Sequence, residues 1–327
     1  MRRIQIRRVV AGVFALVFSI LLPGNTEGVL AQSTRGSAGN GSGVTARPVV
    51  IPLTIRVKGA GPTSELELKT VDYAVLEDGE PQTPLSIRAM GSNWPINLFV
   101  LIQDDVVSSI GLEMKSLAEF IRRLPRGSRV SVGYLRTGSL QVRQKFTVDL
   151  EKAAKALRPP TGLASSAPYN PYVEVVEALR RFDSQAAGRR AILLVSDGLD
   201  ISRGIDASSV GQSVDLQRAI NESQRRGVAV YAFFAPTATS SGNMTLVANA
   251  QGSLNRLADE TGGRAYFQGL GVPTSFTPFI KDLKDSLDMQ IALTYLSTHP
   301  KKGFHRVKII SSTPGVDLSY PAGYIRN

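Results

Sequence analysis

Cysteine is absent from this chain of 327 residues. Disulfides, thiolate zinc sites, thiol nucleophiles and thioether lipid anchors are thereby excluded, so packing, hydrogen bonds and charge must hold the fold. Histidine is almost absent: His299 and His305 are the only two, both near the end of the chain. That scarcity counts against general acid–base catalysis by imidazole, and no Gly-x-Ser-x-Gly elbow accompanies a serine nucleophile. Aromatic residues make up 7% and tryptophan occurs once. Nucleic-acid binding wants basic residues clustered and interleaved with aromatics. The formal charge of +11 is instead spread over separate pairs such as Arg122-Arg123, Arg180-Arg181, Arg225-Arg226 and Lys301-Lys302. Dispersed pairs form a solvated surface, and no nucleic-acid partner is expected.

Long apolar runs are also lacking, with one exception. Arg2, Arg3, Arg7 and Arg8 precede the run Val9–Leu22, which Pro23-Gly24 ends, and small residues follow at Val29 and Ala31. A positive stretch, a short apolar core and a small-x-small site define an export signal. The core falls short of the ~20 residues that span a bilayer. Residues 1–31 are therefore expected to be a signal peptide cleaved near Ala31, with an uncleaved anchor as the alternative. The mature chain would then be periplasmic or extracellular, without a membrane span. Residues 32–47 are rich in Gly, Ser and Thr and read as a flexible leader.

The remaining chain divides into three. Over 48–93 the signals are β-like: Val49–Val57 alternates, and Tyr73–Glu77 runs into Asp78-Gly79, a strong hairpin turn, before Leu85–Met90. Over 94–289 strands and helices alternate. Ile96–Ile102 and Ala191–Val195 are continuous apolar runs, as in strands buried on both faces of a parallel sheet. Arg129–Leu135, Leu140–Val148 and Val228–Phe234 read as further strands. Tyr172–Phe182, Val214–Arg226, Leu254–Thr261 and Phe276–Leu287 read as helices. Over 290–327 three short strands return, at Ile291–Ser297, Arg306–Ser311 and Val316–Tyr320. Three strands alone are marginal, so this tail is expected to pair with 48–93. The expected fold class is α/β, a doubly wound, mostly parallel sheet with a small flanking β module built from both chain ends.

Ligands of such sheets bind beyond the carboxyl ends of the strands, where strand order reverses. Two strand ends here carry acids: Gln103-Asp104-Asp105-Val106-Val107-Ser108-Ser109 after Ile96–Ile102, and Ser196-Asp197-Gly198 after Ala191–Val195. With the lead-in Val71–Gln82 and the closing stretches Gly303–Lys308 and Pro321–Tyr324, these motifs resemble von Willebrand factor type A domains. The likeness is to the bacterial exported, VWFA-related subgroup, and it spans roughly residues 49–327.

The resemblance implies a Rossmann-like domain that binds proteins, and a metal-ion-dependent adhesion site usually holding Mg²⁺. By that likeness the ligands would be Asp104, Asp105, Ser108, Ser109 and Asp197. The motif departs from the family pattern in two places. Val106 or Val107 stands where the middle Ser belongs, and Ser165–Tyr172 contains no Thr, leaving Ser166 or Asn170 as donors there. The site implied is thus a degenerate one. The function expected is exported, non-enzymatic binding, adhesion or scaffolding toward a protein or surface-polymer ligand. The alternatives are a metal-dependent hydrolase using Asp104, Asp105 and Asp197, and a structural component of an envelope assembly.

Overall fold

The computed structural model describes residues 46–57, 73–186, 188–205, 208–313 and 315–326. The expected signal peptide and nearly all of the leader lie outside them. Among the described residues no helix is long and apolar enough to cross a membrane.

Among the described residues thirteen strands form two sheets. The first is antiparallel, with β1 (Arg47–Val57), β2 (Tyr73–Glu77) and β3 (Glu80–Ala89) from the beginning of the described chain. Its other four are β10 (Gln290–Ser297), β11 (Gly303–Ser311), β12 (Val316–Ser319) and β13 (Gly323–Arg326). Their order is β12-β1-β10-β3-β2-β11-β13, so strands from the two ends interleave across the sheet. Alternation along each strand puts Ile51, Leu53, Ile55, Val75, Leu293, Val307 and Ile309 on one apolar face. The turn between β2 and β3 is Asp78-Gly79, with positive φ at both residues (51° and 91°), the conformation that a two-residue hairpin demands. The tail contributes four strands where three were expected, because Gly323–Arg326 adds an edge strand beside β11.

The second sheet has the order β6-β5-β4-β7-β8-β9. It contains β4 (Ile96–Gln103), β5 (Arg129–Arg136), β6 (Ser139–Thr147), β7 (Arg189–Ser196), β8 (Ala229–Phe234) and β9 (Arg264–Tyr266). All pairs are parallel except β5 with β6, whose two-residue connection can only make a hairpin. Six helices flank it: α1 (Met114–Arg122), α2 (Leu150–Lys155), α3 (Pro171–Arg180), α4 (Val214–Arg226), α5 (Met244–Thr261) and α6 (Thr277–Asp288). Two apolar layers sit on opposite faces of the sheet, one under α1 and α6 and the other under α3, α4 and α5. α5 begins ten residues before the expected Leu254, because Asn243 caps it and Leu246, Val247 and Ala250 continue its buried stripe through Gly252.

Strand order reverses between β4 and β7, with β5 wound to one side and β8 to the other. The crevice beyond the carboxyl ends of these two strands is where an open α/β sheet offers a site. At the opposite edge the two sheets are tied by Arg189. Its guanidinium donates to Gln290 Oε1 (2.9 Å), Leu287 O (2.6 Å), Trp94 O (3.0 Å) and Met90 O (3.2 Å). Both connections between the sheets thus converge on one buried arginine.

Candidate functional site

β4 ends on Gln103 and delivers Asp104 and Asp105; β7 ends on Ser196 and delivers Asp197. All three acids are buried. An ionised carboxylate taken out of water needs a cation or several donors, and the three are treated differently.

Asp104 is held by arginine. Arg158, from the loop after α2, makes a forked pair with it, Nη1 to Oδ1 at 2.6 Å and Nη2 to Oδ2 at 2.9 Å. Arg136, the last residue of β5, adds Nε to Oδ2 at 3.2 Å, and the Thr161 amide donates to Oδ1 at 3.1 Å. Arg158 is itself fixed from behind: its guanidinium lies 4.1 Å from the centre of the Tyr134 ring, and the Tyr134 hydroxyl donates to its carbonyl at 2.6 Å. Thr161 Oγ1 donates to the Asp104 carbonyl (2.9 Å) and lies 3.0 Å from Ser166 Oγ. A threonine thus reaches Asp104 from four positions before the stretch Ser165–Tyr172 in which the sequence places it. Asn170 is occupied elsewhere, capping α3 and donating to Asp215.

Asp197 is held by uncharged donors. Its Oδ1 accepts from the Leu199 amide (3.1 Å) and its Oδ2 from Thr237 Oγ1 (2.8 Å). Burial pushes its carboxyl up to about 6, against those hydrogen bonds, with the Asp105 charge adding to the rise. Gly198 follows with φ of 70°, and a Cβ there would come within 2.5 Å of Leu254. Only glycine makes this turn. Asp105 accepts from Gln103 Nε2 at 2.9 Å, and burial likewise raises its carboxyl.

The two valines turn inward. Val106 is wholly buried in the core and bridges to Thr237, while the Val107 amide donates to Pro236 O at 2.9 Å. They close the loop after β4 onto the loop after β8 through backbone pairing, with the Val106 side chain in the core. Ser108 and Ser109 are exposed, and neither caps the 3₁₀ turn that follows, whose N-cap is Val107.

This arrangement differs from the ligand set that the sequence suggested. Mg²⁺ takes about six oxygens in near-octahedral array. Here both oxygens of Asp104 lie on guanidinium groups, both oxygens of Asp197 accept protein donors, and Val106 lies in the core. The donor set does not fit the ion, because an arginine already supplies the charge an ion would bring. Among the described residues, one group of three His or carboxylate ligand atoms lies within 4.8 Å of one another. It is Glu77, Asp78 and His305, in the antiparallel sheet.

Arg158 and Arg136 are the residues that reading the sequence misses. The available signal was the Asp104-Asp105 pair itself, since two adjacent acids buried at a strand end require a nearby cation.

A sheet of this strand order, with its one antiparallel edge and acids at the switch point, has a von Willebrand factor A-like, Rossmann-like fold, to which the antiparallel sheet is added. No protein-family model matches the chain, and no curated protein matches it. Among solved structures, it is similar to the conserved hypothetical protein BatB from Bacteroides thetaiotaomicron (13% identity, 58% of this chain and 97% of that one, TM-score 0.41). An aerotolerance-related membrane protein from Bacteroides fragilis matches at 13% identity, 59% and 98% coverage and a TM-score of 0.39. The VWA domain of SpRpn10 matches at 13% identity, 58% and 93% coverage and 0.35. At such scores it is the strand order that defines the fold.

Proposed function

We propose that this is an exported, non-enzymatic binding protein that presents the carboxyl edge of its von Willebrand factor A-like sheet to a protein or surface-polymer ligand. The observation that carries the reading is where apolar side chains meet water. Leu112, Leu163, Tyr169, Ile205, Val214 and Met244 are all exposed, and all lie on loops or first helical turns at that edge. Large apolar residues gathered on the loops of one edge mark an interaction surface. Tyr169 also holds a positive φ of 55°, which a non-glycine residue adopts only where surroundings enforce it. Between these loops stand Arg136 and Arg158, partly exposed. An acidic group on the ligand would thus meet arginine where the family would offer a metal. On this reading residues 94–289 are the binding unit, 48–93 with 290–327 its base, and cleavage falls near Ala31.

Purified protein is to be used as bait for surface proteins of the native cell, beside a Leu163→Asp/Tyr169→Asp double variant. One partner captured by the wild type and lost in the double variant is the expected result. Phosphatase and peptidase assays with Mg²⁺ and Mn²⁺ run in parallel. Turnover abolished by Asp197→Ala would replace this reading with a metal-dependent hydrolase. Equal capture by both proteins within a fixed envelope complex would replace it with a structural component.

A further inference from the structure

The antiparallel sheet contains a second polar cluster, remote in sequence from the acids of the α/β edge. Its members are Glu77 at the end of β2, Asp78 in the β2–β3 turn, His299 after β10 and His305 on β11. Both histidines of the chain are therefore in one place.

The protonation of His305 follows from its partners. Its Nε2 lies 2.7 Å from the Lys301 carbonyl, which only accepts, so Nε2 carries a hydrogen. Nδ1 then faces two carboxylate oxygens, Asp78 Oδ2 at 2.8 Å and Glu77 Oε1 at 3.4 Å. Ionised carboxylates do not donate, so either a proton on Nδ1 or a metal ion lies among these three atoms. A proton on Nδ1 hydrogen-bonds Asp78 and meets Glu77 Oε1 across the longer contact of 3.4 Å. Glu77 would stay wholly buried, with Oε1 accepting from the Tyr324 hydroxyl (2.8 Å) and Ser297 Oγ (3.0 Å). Its Oε2 has no hydrogen-bond partner, and neither has the buried Nδ1 of His299, which lies 3.9 Å from Glu77 Oε1. One divalent ion held by Glu77, Asp78 and His305 answers the charge of both carboxylates at once.

We infer that Glu77, Asp78 and His305 form a binding site for a divalent transition-metal ion of the zinc class, with its fourth position open to water. One imidazole and two carboxylates, completed by water, are a zinc-type donor set. Ligand atoms ~2.0–2.1 Å from a tetrahedral zinc lie roughly 3.3 Å apart. The distances from Nδ1 of His305 to Asp78 Oδ2 and Glu77 Oε1, 2.8 and 3.4 Å, bracket that spacing.

The surroundings already orient the ligands, as in metal sites. Lys301 fixes the His305 tautomer, the Arg306 amide holds Asp78 Oδ1 at 2.8 Å, and the His305 ring stacks on Tyr324. Gly323 permits this closeness, since a Cβ there would lie 2.2 Å from the His305 carbonyl. Bound metal would staple β2 to β11, linking early and late parts of the chain in a protein without cysteine.

The test uses the full chain, stripped with a chelator and titrated with ZnCl₂ by calorimetry and by ¹H–¹⁵N NMR of the imidazole nitrogens. Two histidines give two resolvable sets of signals. One equivalent bound, with the His305 Nδ1 resonance moved and MgCl₂ moving neither ring, is the expected result. His305→Gln and Asp78→Asn should each weaken binding by roughly 100-fold. The inference is overturned if saturating ZnCl₂ leaves His305 Nδ1 a protonated, hydrogen-bonded imidazolium. It is overturned equally if zinc binds both variants as tightly as the wild type. The wild-type NMR result stands whether or not either variant folds.

Discussion

Asp104 and Glu77 are both fully buried carboxylates, one at the edge of the α/β sheet and one inside the antiparallel sheet. Asp104 has a permanent cation: two guanidinium groups and a backbone amide cover it. Glu77 has two neutral hydroxyls on Oε1, two imidazoles and Tyr295 nearby, and an Oε2 that makes no hydrogen bond. A third case, Glu174 on α3, is 3% exposed with Oε2 unpartnered, and burial raises its carboxyl to about 7. One chain thus meets the same physical demand with arginine at one site and with a proton at another. At Glu77 it leaves room for a third solution.

The contrast can be broken at Arg158 first. Arg158→Ala strands a buried charge with Arg136 as its one remaining guanidinium, and should lower unfolding free energy by about 3 kcal/mol in urea denaturation. Adding Asp104→Asn should return most of that loss. Additive losses in the double variant would show that the pair is not coupled.

Glu174 comes next. Its folded carboxyl binds a proton more tightly than the unfolded chain, whose value stays near the ordinary 4.5. Stability should therefore fall as pH rises from about 4.5 to about 7, and the penalty should be fully present above that. Glu174→Gln should flatten this slope and stabilise the protein by about 2 kcal/mol at pH 8, measured by thermal melts across pH. An unchanged slope would place the titration elsewhere.

Glu77→Gln should do little to the metal-free protein, within about 1 kcal/mol, since it removes a buried charge that lacks a fixed cation. A loss as large as that of Arg158→Ala would erase the distinction between the two sites. Smallest of all, Ser108→Ala and Ser109→Ala should each leave melting unchanged within about 0.5 kcal/mol, as exposed residues with no capping role.

The fold was largely legible because its signals are local. Ile96–Ile102 reads as a doubly buried strand and Asp78-Gly79 as a hairpin without knowledge of the rest. The flanking sheet followed from the fact that three short strands cannot stand alone. The departures are equally physical. β13 escaped because four residues make too short an alternation, and α2 because six residues are too few for a helical stripe. The sites were less legible. Asp104 and Asp197 announce themselves at strand ends, but Arg158 lies 54 positions from Asp104, and His305 lies 227 from Asp78. Neither distance leaves a mark in spacing. The valines after Asp105 were visible from the start, and only the packing shows that they seal two loops together.

The interleaved strand order of the antiparallel sheet has a consequence for how the protein is made. β1 pairs with β10 and β12 and so waits for partners on the far side of the whole α/β unit, while β2 has β3 at once but β11 only from that far side. During synthesis from the amino end, β1 has no partner until residue 290 has emerged. Contacts of such separation form slowly, and unpaired strands are open to mispairing meanwhile. The α/β unit, whose pairings are nearer in sequence, is free to fold first and bring the ends together where Met90 donates to Gln290. Assembly of the base is thus a late event gated by the domain it carries, and a chain cut short before residue 290 would leave β1–β3 as exposed edges.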